Sequence, residues 1–425
     1  MLTPADAAIV HRDQAVPGLA LVLDDDALTS HLRTGWPELG LVSARATYVR
    51  YKPGTSCLVA YRFDLGDTEV PAFAKAYRQG EQAKVAKAQG KGGAAVVTLG
   101  DLVMVARVGG DRDLPAATIL GEPSRHRRLL RRVLPDAAEC WDTAPQFLRY
   151  KPERRWVGVV EHEGEPVALV KAYRRDDLDR AYAGLCFAGT ISPVTPRLLG
   201  VSRRMAALAT TWVPGDTLSD LLAGPGGSAV TLSAAGAALA ALHAGPSSGL
   251  PVAMADDDAA ALASAADHLC VLSPHLAATV TALVASLAPR LADAPEESRP
   301  RHGDFSPDQV VLARAGPALL DFDNAEFGDP AADLGQFVAS LLADGLMSDA
   351  GLAVPAASWP TDFLTGYESA GGVAGADRIT DHTAAALVRL AVEPFRTRAP
   401  DWPARTEALL EHASLLMART GPAAR

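Results

Sequence analysis

Three carboxylates flank a short apolar hairpin: Asp304, Asp321 and Asp323. The stretch from Arg301 to Gly335 reads RHGDFSPDQVVLARAGPALLDFDNAEFGDPAADLG. Val310-Val311-Leu312 and Ala318-Leu319-Leu320 have strand character, and Gly316-Pro317 between them supplies a turn. In an antiparallel hairpin the start of one strand lies beside the end of the next. Asp304, before the first strand, can therefore converge with Asp321 and Asp323, after the second. A solvated hairpin has no reason to set Asp321 between Leu320 and Phe322. Phosphoryl transfer explains the layout. It needs a carboxylate to accept the proton of an attacking hydroxyl, and oxygen ligands to hold Mg²⁺ on nucleotide phosphates.

His302-Gly303-Asp304, the amide of Gln309, and Asp321-Phe322-Asp323 resemble the HGDxxxxN…DFD signature of the aminoglycoside phosphotransferase and choline kinase-like family. That family is distantly related to protein kinases, with their HRDxxxxN and DFG motifs. The resemblance implies that Asp304 is the catalytic base and meets the acceptor, Asp321 is the main Mg²⁺ ligand and Gln309 the second. Asp323 then touches metal or acceptor. The usual residue at position 309 is Asn; Gln offers the same carbonyl oxygen one methylene further out, as in members resembling maltokinase and glucosamine kinase. His302 reads as scaffold, and Asp333 as a brace for the HGD backbone. Taken alone, HGD is equally a turn and the aspartates are caps. The full constellation argues against that reading.

A chain of 425 residues is too long for one core, so two or three domains are expected. The net charge of −10 argues against a nucleic-acid partner and is compatible with a cationic substrate. Cys57, Cys140, Cys186 and Cys270 have neither metal-ligand spacing nor the density of a disulfide scaffold, so a reducing cytoplasm is expected. No secretory signal and no uninterrupted apolar run of membrane-spanning length is read, so no membrane partner is expected. Glycines near Gly90-Lys91-Gly92 lack the spacing of a Walker A loop.

The chain contains an internal repeat. Tyr48-Val-Arg-Tyr-Lys-Pro53 recurs as Phe147-Leu-Arg-Tyr-Lys-Pro152, and Ala74-Lys75-Ala-Tyr-Arg78 as Val170-Lys171-Ala-Tyr-Arg174. Each copy reads as strand, turn, strand, turn, strand, then a helical stretch and two more apolar runs. Between the copies, Arg125 to Arg132 reads as a basic amphipathic helix, a solvated face or an interdomain contact. Beyond Leu218 the pattern is helical. The expected fold is α+β, a two-lobed protein kinase-like fold with an antiparallel β N-lobe and a helical C-lobe, preceded by a duplicated β-sheet cap. The expected divisions are a cap over 1–125, an N-lobe with hinge over 126–214, and a C-lobe over 215–425.

The second copy directly precedes the helical part, so it is the working N-lobe in this reading. Lys171, in an apolar strand, fits the lysine that pairs with nucleotide phosphates. Thr211-Trp212-Val213 resembles the hinge whose backbone reads adenine. Two features depart from the family. Glu153-Arg154-Arg155 stands where a glycine-rich loop normally covers the phosphates, which leaves Arg154 or Arg155 to contact them. No glutamate follows Lys171 before the hinge; Asp177 or Asp179 is the nearest substitute. Lys75, in the copy without a following HGD, reads as structural.

The resemblance places the acceptor between the hairpin and the C-terminal helices. Candidates there are Glu326, Tyr367, Glu393, Arg396 and Trp402, which together supply donors, acceptors and an aromatic face. The function implied is ATP- and Mg²⁺-dependent phosphorylation of a hydroxyl, on an amino sugar or related saccharide first and an aminoglycoside second. A rival of another class is a nucleotide-binding pseudokinase-like module.

Overall fold

Alternating apolar residues in each repeat fold into five antiparallel strands. The computed structural model describes residues 2–191, 194–224, 227–246, 249–254, 256–293, 297–347 and 358–420. The first sheet contains β1 (Ser43–Lys52), β2 (Ser56–Asp64), β3 (Glu69–Tyr77), β4 (Val96–Leu99) and β5 (Val103–Arg107), in the order β1-β2-β3-β5-β4. The second contains β6 (Gln146–Lys151), β7 (Arg155–His162), β8 (Glu165–Tyr173), β9 (Leu198–Ser202) and β10 (Ala207–Thr211), in the order β6-β7-β8-β10-β9. Each first strand carries one irregularity, between Ala46 and Tyr48 in β1 and between Phe147 and Arg149 in β6. Lys75 lies opposite Leu58 and Met104, and Lys171 opposite Val157 and Leu208. The two lysines therefore occupy equivalent places in central strands.

The first turn of each sheet is built the same way. The Tyr51 hydroxyl and the Gly54 N–H donate to Asp13 Oδ2, at 2.6 and 2.8 Å. The Tyr150 hydroxyl and the Glu153 N–H donate to Asp111 Oδ2, both at 2.8 Å. This turn needs a left-handed residue: Gly54 has φ +63° and Glu153 has φ +59°. Glycine adopts that conformation freely, whereas a residue with a Cβ loses roughly 1–2 kcal/mol.

Both sheets contribute to one core. Phe73, Met104, Leu129, Leu130, Trp156, Val170 and Ala207 belong to a single buried cluster. The chain forms two compact units, and the first takes in Met1–Leu178, Leu199–Trp212 and Phe395–Trp402. The basic helix His126–Val133 buries Leu129, Leu130 and Val133 in this core. Its arginines face outward: Arg127 pairs with Asp142, and Arg131 sits over the Trp141 ring at 5.2 Å.

The second unit takes in Asp179–Leu198, Val213–Pro394 and Pro403–Arg425. Its small strands are β11 (Asp216–Thr217), β12 (Arg299–Arg301), β13 (Val310–Ala313), β14 (Gly316–Leu319) and β15 (Glu326–Gly328). They form a β11-β13-β14 sheet and a β12-β15 pair, set among helices. The core there includes stacked Phe305, Phe337 and Phe363, with Phe337 and Phe363 centroids 4.0 Å apart. Contrary to the sequence expectation, residues 274–292 are long and apolar enough to cross a membrane by length and composition. Val280, Leu283, Leu287 and Leu291 are nevertheless buried, on a helix that packs against Asp257–Leu272 and Ala376–Leu390.

A late segment returns to the first unit through one carboxylate. Asp6, 1 % exposed, accepts from Arg398 Nη1 and Nη2 at 3.2 and 2.9 Å and from Trp402 Nε1 at 3.3 Å. Removing it strands a largely buried guanidinium. Asp6→Ala is expected to destabilise the fold by about 3 kcal/mol in urea unfolding. An unchanged midpoint would show that this pair does not anchor the segment.

Candidate active site

The HGD turn is held by a buried carboxylate. Asp333, at the start of helix Pro330–Met347, is 1 % exposed. It accepts the His302 N–H at 2.5 Å, the Gly303 N–H at 2.9 Å and His243 Nε2 at 3.2 Å. His243 Nδ1 lies 2.9 Å from the Tyr367 hydroxyl, which completes a buried relay. Gly303 has φ +81°, and a Cβ there would fall 2.3 Å from the Asn324 carbonyl oxygen. No other residue fits between the two motifs. His302 has its Nε2 2.7 Å from the Leu320 carbonyl, so that nitrogen carries the proton. Its ring is packed between Phe305 and Phe322. His302 thus ties the loop of Asp304 to the strand end that precedes Asp321, the scaffold role expected of it.

The hairpin register sets the oxygen donors. Val310 pairs with Leu319, and the Leu320 N–H donates to the Gln309 carbonyl at 2.8 Å. Gln309 and Asp321 are thereby brought to the same end of the hairpin. The Gln309 amide nitrogen donates to Asp308 at 3.0 Å, which leaves its carbonyl oxygen as the side chain's acceptor. Asp321 itself has φ +59°, a strained setting for a non-glycine residue that costs about 1–3 kcal/mol and marks functional positions. Asp323 lies in the short helical turn Phe322–Asn324. Asp304 is exposed.

These residues fit a Mg²⁺ site of the kind completed by substrate. Among the described residues no cluster of three or more His, Cys, Asp or Glu forms a ready-made metal cage. One carboxylate and one amide oxygen suit Mg²⁺, which keeps several waters and takes phosphate oxygens as ligands. Asp321 and Gln309 would hold the ion.

In the first unit, Lys171 is 7 % exposed in the middle of its sheet. Arg154 is exposed in the β6–β7 turn and Arg155 opens β7. Thr211 pairs with Ala168, and the Trp212 N–H donates to the Val167 carbonyl at 3.1 Å. The Trp212 N–H is therefore committed to the sheet rather than to adenine. Val213 begins the second unit.

Several acceptor candidates need correction. Tyr367 is 2 % exposed and spends its hydroxyl on His243. Trp402 is 2 % exposed, edge-on to Phe395, so its face cannot receive a sugar ring. Glu326 is consumed by Arg301, at 2.9 and 2.5 Å, and by Arg180 at 2.7 Å. Glu393, half-buried, belongs to the second unit, whereas Arg396 belongs to the first. Arg180 lies on helix Leu178–Ala188, the helix expected to carry a partner for the strand lysine, and its guanidinium serves the DFD end of the hairpin instead.

One residue escaped the sequence reading. Arg389, on helix Ala376–Leu390, donates through Nη2 to Gln336 at 3.2 Å, and its Nη1 is buried with no hydrogen-bond partner. Burial lowers its pKa, opposed by Asp258; Asp304 is among the charges acting on it. The signal was an arginine inside the apolar run Leu387-Val388-Arg389-Leu390.

Burial alone would raise the pKa of Asp333. His243 and the backbone N–H of His302 outweigh it and hold the carboxyl below its usual range. A folded pKa below the unfolded one contributes stability above the usual carboxylate range, and this is lost as pH falls through the folded value. Asp333→Asn is expected to cost about 3 kcal/mol at pH 7. The gap to wild type should shrink as pH drops below about 4, read by urea melts across pH. A gap independent of pH would contradict this role.

The chain matches the phosphotransferase enzyme family, APH, over residues 124–375. The first sheet lies outside the matched stretch. No curated protein matches the chain. Among solved structures it is similar to macrolide 2'-phosphotransferase MphH from Brachybacterium faecium, with 19 % identity, 65 % of this chain and 95 % of that one covered, and a TM-score of 0.42. It is similar also to aminoglycoside 2'-phosphotransferase-IIIa, with 18 % identity, coverage of 69 % and 99 %, and a TM-score of 0.47. A choline/ethanolamine kinase family protein from Mesorhizobium loti shows 17 % identity, coverage of 70 % and 95 %, and a TM-score of 0.48. With the family match spanning more than half its length and the HGD and DFD hairpin in place, the chain belongs to the phosphotransferase enzyme family as a kinase-like, small-molecule phosphotransferase.

Proposed function

We propose that this phosphotransferase uses ATP and Mg²⁺ to phosphorylate a hydroxyl of an amino sugar or related saccharide. The observation that carries the reading is the hairpin register, which sets Gln309 beside the strand end leading to Asp321, with the Asp304 turn pinned by Asp333. Asp304 accepts the proton of the acceptor hydroxyl as its oxygen forms a bond to the γ-phosphorus. The bond from that phosphorus to the β,γ-bridging oxygen breaks, and ADP leaves. Lys171 offsets phosphate charge. Bound Mg²⁺ supplies further charge neutralisation on the phosphates. The four free cysteines agree with a cytoplasmic setting.

On the acceptor side, Gln309 in the place of the usual Asn, as in members resembling maltokinase and glucosamine kinase, favours an oxygen-rich molecule. That places a saccharide ahead of an aminoglycoside antibiotic. The absence of a glycine-rich loop and of a helix glutamate favours the rival, a pseudokinase-like module that binds nucleotide without turnover.

Mg-ATP consumption against amino sugars, neutral mono- and disaccharides and aminoglycosides tests the proposal. Turnover with one acceptor class is expected, and Asp304→Asn should lower kcat by about 10³-fold with nucleotide affinity nearly intact. Wild-type-like turnover in that variant would remove Asp304 from the mechanism. ATP binding with silence across the panel would favour the module. Asp321→Ala should abolish the Mg²⁺-dependent part of nucleotide binding in calorimetry; unchanged binding would remove its metal role.

A further inference from the structure

Glu153 sits in the turn between β6 and β7, in the left-handed conformation that its repeat counterpart Gly54 takes without strain. A glutamate retained there must recover the strain through its side chain. Its Oε1 accepts from Lys75 Nζ at 2.6 Å, and its Oε2 from Arg50 Nη2. Both partners come from the first sheet. The side chains of Lys75 and Glu153 are each 16 % exposed, so the pair is sheltered enough to matter energetically. The Glu153 N–H is fixed to Asp111, which follows the first sheet, and the Arg50 guanidinium also reaches towards the Pro152 carbonyl, at 3.5 Å. Three residues outside the second sheet thus grip one turn of it.

Lys75 is the repeat counterpart of Lys171. In the first sheet that lysine is neutralised by the turn of the second sheet, so it cannot serve a phosphate. The next residue in the gripped turn is Arg154, whose side chain is exposed. An exposed guanidinium on a fixed turn suits a phosphate.

We infer that the first sheet is a built-in clamp: Lys75 and Arg50, through Glu153, fix the β6–β7 turn so that Arg154 is presented to the nucleotide phosphates. Rigidity from an ion-paired turn here replaces the cover that a glycine-rich loop gives elsewhere. Lys75, Arg50 and Glu153 are positioning residues. The inference rests on the proposed use of a nucleotide at Lys171 and Arg154.

The test is steady-state kinetics and ATP calorimetry on the full chain with Lys75→Met, Glu153→Gln, the double variant and Lys75→Arg. Hydrogen exchange at residues 151–155 accompanies them. Loss of one sheltered charged hydrogen bond predicts that KM and Kd for ATP rise about tenfold in each single variant, with kcat within about twofold. The double variant should be no worse than Glu153→Gln alone, because that substitution already breaks the pair with Lys75. Lys75→Arg should restore most of the affinity, and exchange of the turn amides should quicken in Lys75→Met. Unchanged ATP affinity alongside a lower melting temperature would overturn the clamp and leave the pair merely structural. Equal loss of kcat at constant KM would overturn it as well. Wild-type protein that binds no ATP would instead overturn the nucleotide reading itself, which separates the two failures.

Discussion

A single buried carboxylate carries the geometry of the second unit. Asp333 has almost no contact with solvent, yet it receives two backbone N–H groups and an imidazole. In a low-dielectric interior such a charge persists only while its donors stay in place, and the donors are the first two residues of the HGD turn. The dependence runs in both directions. The turn fixes the carboxylate, and the carboxylate forces the turn to present Asp304 outward. From there His302 passes the constraint to Leu320, and the hairpin register passes it to Gln309 and Asp321. Asp304, Gln309 and Asp321 are therefore parts of one rigid construction rather than neighbours by chance.

The first unit shows a different use of charge. A repeated sheet retains its turn, its tyrosine and its aspartate in both copies, but the two central lysines have diverged in circumstance. Lys75 is bound to Glu153, which stands at a left-handed position where the first copy has Gly54. The carboxylate of Glu153 joins the two copies through the turn of the second. The shared core of Phe73, Leu130 and Trp156 makes that joint a part of the fold rather than a surface contact.

Much of this was legible in the sequence because it depends on local pattern. Strand alternation gave both sheets, and the spacing from His302 to Asp333 gave the hairpin and its brace. What stayed hidden depends on burial and on long-range pairing. Glu326, Tyr367 and Trp402 have the right chemistry for an acceptor site, but their partners come from elsewhere in the chain: Arg301 and Arg180, His243, and Asp6. No periodicity announces such pairs. Arg389 was passed over for the opposite reason, since an arginine in an apolar helix looks like a surface residue until its Nη1 is found enclosed. The divisions at 125 and 214 followed the repeat, whereas both sheets and the segment Phe395–Trp402 fall in one compact unit.

The most direct test of the account is ³¹P NMR of the wild-type protein with Mg-ATP and the saccharide panel. The account predicts that the γ-phosphate signal is replaced by that of a stable phosphomonoester on one acceptor class, with ADP formed in equal amount. Release of inorganic phosphate alone, or an unchanged ATP spectrum in the presence of demonstrated ATP binding, would contradict it.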